Sequence, residues 1–575
     1  MRLMVLLLVL LFSLAPATAL VNPALPQASV GGAESTVIAP QEVGGGIAFP
    51  EALRMVVGPV ERQWDAQLRL PTTEPVEEGD AIAISLWIRG GAETGRAGLL
   101  EINFEKAGEP YTKSLDYPIQ TTPDWRKVEV RFRSAAAYEA GGAQVVFQLG
   151  FLPQWVEVAG LEAANLGGDA DYEAIPSTPV TYPGRAADSA WRAEAAKRIE
   201  EHRMGALRII VVDGEGRRLP GEAVRVVQQR HAFRFGTAVS VGRLLADDAE
   251  GRRYRDVLRE NFNSATIENG LKWRAWEAGW GQNAKTQEAL AWLKENGLES
   301  RGHVMVWPSW RYSPAPLEAL RDQPETLRQR VLDHIAEIAG ATRGYVQDWD
   351  VVNETFDNTD LLEILGRDEM VAWFKAAATS LPGVDLYYND YAALIQGGLD
   401  TAHKRHFDET ARFLIDGGAP VDGLGLQSHF GTLLTPPENL LDELDRWAAF
   451  GLKLRVTEFD VAVEDEALQA DYTRDFLTAL FSHPAVVGVS TWGFWAGAHW
   501  KPEAALWRED WSERSAALAW RHLVREAWWT DVEVTTDAQG EAVVRGFLGE
   551  YQIRVGERIW QADLPNGGGV VTVAR

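Results

Sequence analysis

Two carboxylates sit near the ends of apolar, β-branched runs: Glu354 in Trp349-Asp350-Val351-Val352-Asn353-Glu354, and Glu458 in Arg455-Val456-Thr457-Glu458-Phe459-Asp460. Each run reads as a buried strand that delivers a Glu to its C-terminal end, where barrel enzymes keep their active sites. Two such carboxyls, from two different strands, are what acid-assisted cleavage of a glycosidic bond requires. The chain between them is long enough for three strand–helix units.

Side chains alternate along a strand. Glu458 and Asp460 are therefore expected on one face, Gln427 and His429 on another, and Asp350, Val352 and Glu354 on a third. A nucleophilic Glu needs a partner that keeps it ionised and oriented, which His429, held by Asp460, could be. An acid/base Glu needs a raised pKa, supplied by burial and a second carboxylate nearby. Other polar and aromatic residues fall at the same strand ends: Glu268, Asn269 and Lys272 after strand two, His303 and Trp307 on strand three, Trp492 and Trp500 on strand eight and its loop. Together they make a saccharide cleft at one rim. Only His303 and His429 among the histidines fall there, and no H-E-x-x-H motif occurs, so no metal or other cofactor is expected.

The elements that must position these residues alternate between about 231 and 528. Candidate strands are Phe233–Val239, Ser264–Ile267, Glu299–Trp307, Asp348–Glu354, Asp385–Asp390, Gly423–His429, Leu452–Phe459 and Gly488–Phe494. Helical patterns separate them, for example Asn283–Asn296, Glu325–Ala339 and Asp465–Ser482. Eight strands with intervening helices predict a (β/α)8 TIM barrel. A doubly wound open sheet is the alternative, but no glycine-rich phosphate loop follows the first strand.

The flanks divide the rest of a multidomain chain. Residues 20–48 and 169–187 read as linkers, and 49–168 as a β-sandwich of short alternating strands. Residues 188–230 are expected to be a helix followed by a β-hairpin turning at Asp213-Gly214-Glu215-Gly216, and 529–575 a small β segment. At the N-terminus, Arg2, the apolar run Leu3–Leu14 and Ala17-Thr18-Ala19 predict a signal peptide cleaved near Ala19 and a secreted, extracellular or periplasmic protein. A formal charge of −26 argues against nucleic acid and anionic membranes as partners and admits a neutral substrate. The absence of cysteine excludes disulfides and thiolate metal sites. A monomer is expected.

From about 231 to 528 the chain resembles glycoside hydrolase family 10, the retaining endo-β-1,4-xylanases. The resemblance is carried by Phe262–Trp273, Arg301–Trp307, Asn353-Glu354, Tyr388-Asn389-Asp390-Tyr391, Gly425–His429, Thr457–Asp460, and Trp492-Gly493 with Trp500, in order and spacing. It implies Glu354 as acid/base, Glu458 as nucleophile, Asn353 on the sugar 2-OH, and His429 bridging Glu458 and Asp460. It further implies that Glu268, Asn269 and Lys272 bind the next sugar and that His303, Trp307, Gln427, Trp492 and Trp500 line the cleft around xylan or a related β-linked polysaccharide. Two positions depart from the family: Pro308 stands where a His is usual, and Ala496 where an Asp is usual. Residues 49–168 resemble a jelly-roll carbohydrate-binding module in which Trp64, Trp87, Trp125 and Trp155 could stack on sugar. Another β-linked glycan as substrate, or binding of polysaccharide without catalysis, are the competing readings.

Overall fold

The computed structural model describes residues 20–21, 37–42, 49, 51–60, 62–92, 97–279 and 283–575. The expected signal peptide and most of the 20–48 linker lie outside the described residues. The chain forms two compact units, Met1–Val180 with Leu399–Ala402, and Thr181–Gly398 with His403–Arg575. Among the described residues no helix is long and apolar enough to cross a membrane.

The first unit is a β-sandwich. One sheet orders Val37–Glu42, Glu51–Val57, Gln154–Gly167, Ala81–Ala92 and Arg126–Arg133; the other orders Gln67–Pro71, Ala143–Gln148, Gly98–Lys106 and Lys113–Thr121. Alternation decides which residues face inward. Ile82, Ile84, Leu86 and Ile88 from one sheet meet Leu100, Ile102, Phe104 and Phe147 from the other in one core. Of the four tryptophans, Trp64 is 40% exposed. Guanidinium groups lie over two others, Arg54 on Trp155 at 4.8 Å and Arg89 on Trp125 at 4.8 Å.

The second unit holds the barrel. Its strands are β1 (Arg234–Val239), β2 (Ser264–Ile267), β3 (Glu299–Gly302), β4 (Val346–Asn353), β5 (Asp385–Asp390), β6 (Gly423–Leu426), β7 (Lys453–Val461) and β8 (Val486–Thr491). Every neighbouring pair is parallel, and β1 pairs with both β2 and β8, so the sheet closes on itself. Helices run between successive strands, and Asp248 and Asp465 cap two of them by accepting from the first-turn backbone N–H groups.

The barrel interior is polar where the pattern alone would make it apolar. Arg301 donates to Asp348 at 2.6 Å and pairs with Asp350; Arg455 pairs with Asp348 and donates to Ser264 at 2.8 Å. All four charged groups are about 1% exposed or less. Buried charges persist only when paired and hydrogen-bonded. This ladder leads upward, because Asp350 also holds His303 Nδ1 at 2.8 Å.

Three expected strands stop well short, the eighth at Thr491 instead of Phe494. The third ends at Gly302, where a Cβ would lie 2.1 Å from the Trp349 ring. The sixth ends at Leu426, and Ser428 takes φ of 73° before the two-residue strand His429–Phe430 pairs with Asp460–Val461.

The hairpin expected at Asp213–Gly216 is corrected. The turn forms, but its arms join different sheets. Met204–Val212 pairs with Glu541–Phe547 and Gly569–Ala574, while Ala223–His231 pairs with Asp531–Thr535 and Gly549–Val555. A shared core of Leu207, Ile209, Val224, Val226, Val544, Ile553 and Val573 makes these segments one small β-sandwich.

Candidate active site

The site lies at the C-terminal ends of the barrel strands. Glu354 follows β4 with φ of 53°, a left-handed conformation uncommon for a non-glycine residue. Strict alternation would send Asn353 and Glu354 to opposite faces. The left-handed turn lets both side chains reach Gln427, whose Nε2 donates to Glu354 Oε1 at 2.7 Å and to Asn353 Oδ1 at 3.3 Å. The turn is pinned on both sides: Glu354 N–H donates to the Asn389 carbonyl, and Asn358 Nδ2 donates to the Glu354 carbonyl.

Glu458 sits on β7 and is 4% exposed. Asn389 Nδ2 donates to its Oε1 at 3.1 Å, and His429 Nε2 lies 3.2 Å from its Oε2. His429 Nδ1 lies 2.8 Å from Asp460 Oδ2. Ionised carboxylates only accept, so both ring nitrogens donate and the ring is an imidazolium. Burial alone would lower the His429 pKa, but Asp460, with Glu458, outweighs it and pushes the pKa up to about 9.

The two glutamates are driven apart. Burial pushes the Glu354 pKa up to about 8, with the Glu458, Asp390 and Asp357 charges adding to it and the Gln427 hydrogen bond opposing. Burial would raise Glu458 too. There the His429 hydrogen bond, the charges of His303 and His429, and Lys272 outweigh it and hold the carboxyl below its ordinary value. One carboxyl holds its proton at neutral pH while the other is ionised, the arrangement that separates an acid from a nucleophile.

A cleft of about 510 Å³ surrounds the pair. Of the residues expected there, Glu268, Lys272, His303, Trp307, Glu354, Gln427, His429, Glu458, Trp492 and Trp500 line it. Asn353 is fully buried and is not among the lining residues, and its Nδ2 has no partner among the described residues. Asp460 is likewise buried, and receives the Trp500 indole N–H at 2.7 Å. Asn269 lines an adjoining hollow and accepts from Lys272 Nζ at 3.0 Å. Pro308 is buried with its carbonyl accepting from Leu361, and the Ala496 N–H donates to Trp507.

In the sequence, Asn389 and Tyr391 stand only as parts of a motif with no role assigned, and Tyr312 is not singled out. Tyr312 and Tyr391 also line the cleft. Asn389 is the larger omission. Its Nδ2 donates to Asn353 Oδ1 and Glu458 Oε1, and its Oδ1 accepts from Thr457, so one amide orients both strand ends. The signal was its neighbour Gly425, where a Cβ would lie 2.2 Å from Asn389 Oδ1. Gly425→Ala is expected to leave a folded protein, at a cost of about 1–3 kcal/mol for overpacking. The displaced amide should cost about 10²-fold in kcat. Retained full activity with unchanged stability would remove Asn389 from this role.

Comparison with known proteins places these residues in a family context. Residues 224–522 match the model of Glycosyl hydrolase family 10. The chain is 30% identical to an anti-sigma-I factor, RsgI6, of Acetivibrio thermocellus over 66% of this chain and 47% of that protein. It is 28% identical to endo-1,4-beta-xylanase 1 of Arabidopsis thaliana over 58% of this chain and 34% of that protein. It thus spans less than half the length of either. Among solved structures, xylanase 10B of Thermotoga petrophila in complex with xylobiose aligns over 52% of this chain and 95% of its own, at 24% identity and a TM-score of 0.47.

Proposed function

The chain belongs to glycosyl hydrolase family 10, and from that premise we propose that it is a secreted, retaining endo-β-1,4-xylanase. The observation that carries the reading is two carboxyls in one cleft with opposite surroundings: burial, with other carboxylates nearby, pushes the Glu354 pKa up to about 8, and Glu458 accepts from Asn389 and from His429, whose hydrogen bond and charge hold it below its ordinary value. In the first step the Glu458 carboxylate attacks the anomeric carbon while Glu354 gives its proton to the departing oxygen, leaving a glycosyl ester on Glu458. In the second, the ionised Glu354 takes a proton from water, the water oxygen attacks the same carbon, and Glu458 departs as carboxylate. Asn353 Nδ2 donates to the sugar 2-OH, a bond that tightens in the transition state. Glu268, Asn269 and Lys272 hold the sugar one position further from the cleaved bond, and the indoles of Trp492 and Trp500 line the cleft around the chain.

Proton NMR in the first minutes of xylan hydrolysis tests this. Retention predicts β-anomeric reducing ends before mutarotation. Initial α-anomers would mean a water-first, inverting reaction, and release of reducing ends from β-glucan but not from xylan would replace the substrate. Export is tested by N-terminal sequencing of the secreted protein, which should begin at Leu20.

A further inference from the structure

A second hollow, of about 490 Å³, adjoins the catalytic cleft and shares Lys272, Trp307 and Tyr312 with it. Trp273 adds to its wall, which is mainly apolar. Trp307 and Tyr312 stack with centroids 3.6 Å apart and an interplanar angle of 13°, a rigid aromatic step between the two spaces. Flat aromatic surface of this kind suits the apolar face of a sugar ring.

Two guanidinium groups complete the lining. Arg274 Nη1 donates to the Arg311 carbonyl at 2.6 Å, which ties the two lining segments together. The Arg311 guanidinium itself lies over the Tyr312 ring at 5.3 Å, and among the described residues no carboxylate pairs with it. Arg311 is exposed, and its place beside an aromatic wall and next to the sugar cleft, with no acidic partner among the described residues, leaves its guanidinium free to meet a carboxylate carried by a ligand in the hollow. Planar, forked guanidinium matches carboxylate.

We propose that this hollow binds a uronic acid branch of the polysaccharide, its ring against the aromatic wall and its carboxylate on Arg311 with Arg274 beside it. The proposal rests on the xylanase reading. A neutral continuation of the backbone in the same space is the rival outcome.

The test is calorimetric binding of three ligands of equal backbone length to the Glu458→Gln full-length chain: an unbranched xylo-oligosaccharide, its glucuronosyl-branched counterpart, and the methyl ester of that branch. The free acid is expected to bind about tenfold more tightly than its ester, the scale of one charge-assisted hydrogen bond. Arg311→Gln should bring that ratio close to one. Equal affinity for acid and ester, or a ratio that Arg311→Gln does not move, overturns the proposal. Hydrolysis of unbranched xylan by the wild-type chain separates the two claims. A protein that prefers the acid but cuts no xylan keeps the site and loses the reaction, and the converse loses only the site.

Discussion

Replacing Glu458 with alanine is expected to lower kcat on xylan by about 10⁵-fold, the scale on which a covalent nucleophile fails when deleted. The side chains that contact the two carboxyls offer no replacement nucleophile. Gln427 and Asn389 present amide groups to the carboxyls, and His303 and His429 are held by Asp350 and Asp460. The wild-type rate should fall on the acid side as Glu458 takes up a proton, below the ordinary carboxylate value because its pKa is lowered. The variant also removes one of the two carboxylates that keep His429 charged, so the imidazolium should lose its proton at lower pH than in the wild type, where the pKa is about 9. Steady-state rates and an NMR titration of His429 measure both effects. A residual rate within 100-fold of wild type would remove Glu458 as nucleophile.

The barrel was legible because its strands announce themselves. β4 is a β-branched run that leads directly into Glu354, β7 is one that carries Glu458 and Asp460 close to its end, and the helices between strands keep a 3.6-residue period. The candidate pair was legible for the same reason. Other features were not local. Leu207 and Val224 belong to strands whose partners lie more than 300 residues away, as Val544 and Val555 do here. A turn signal at Asp213-Gly214 says where the chain reverses and nothing about which sheet each arm enters. The left-handed backbone at Glu354 and Ser428 carries no residue-type signal, since both residues adopt it under tertiary constraint. The i, i+2 rule groups Asp350, Val352 and Glu354 on one face; in the fold Asp350 serves His303 below, and Glu354 reaches Gln427 only after that turn. Asn389 escaped because its role depends on the space left by Gly425 one strand away.

Glu354→Gln separates substrates by their leaving groups. Xylan departs as a poorly acidic alcohol and needs the proton, so kcat/KM should fall about 10²–10⁴-fold, the range for general acid catalysis. A dinitrophenyl xylobioside departs without protonation, so its glycosylation step should change little, and the ester on Glu458 should accumulate because no base remains to activate water. The pH dependence follows from the raised pKa. Glu354 acts first as the acid, so wild-type kcat/KM falls as pH rises through about 8, and in Glu354→Gln this alkaline limb should vanish. The same shift acts on stability. A carboxyl whose pKa is raised on folding favours the native state least when ionised, so folding stability declines as pH climbs from the ordinary carboxylate value toward about 8. Glu354→Gln removes that decline, and its melting temperature should exceed that of wild type at pH 9 while matching it at pH 4. Glu458→Gln tests the coupling: without the Glu458 charge, the Glu354 pKa should drop, while burial keeps it above the ordinary value. An alkaline limb that persists unchanged in Glu354→Gln would assign the acid to another group.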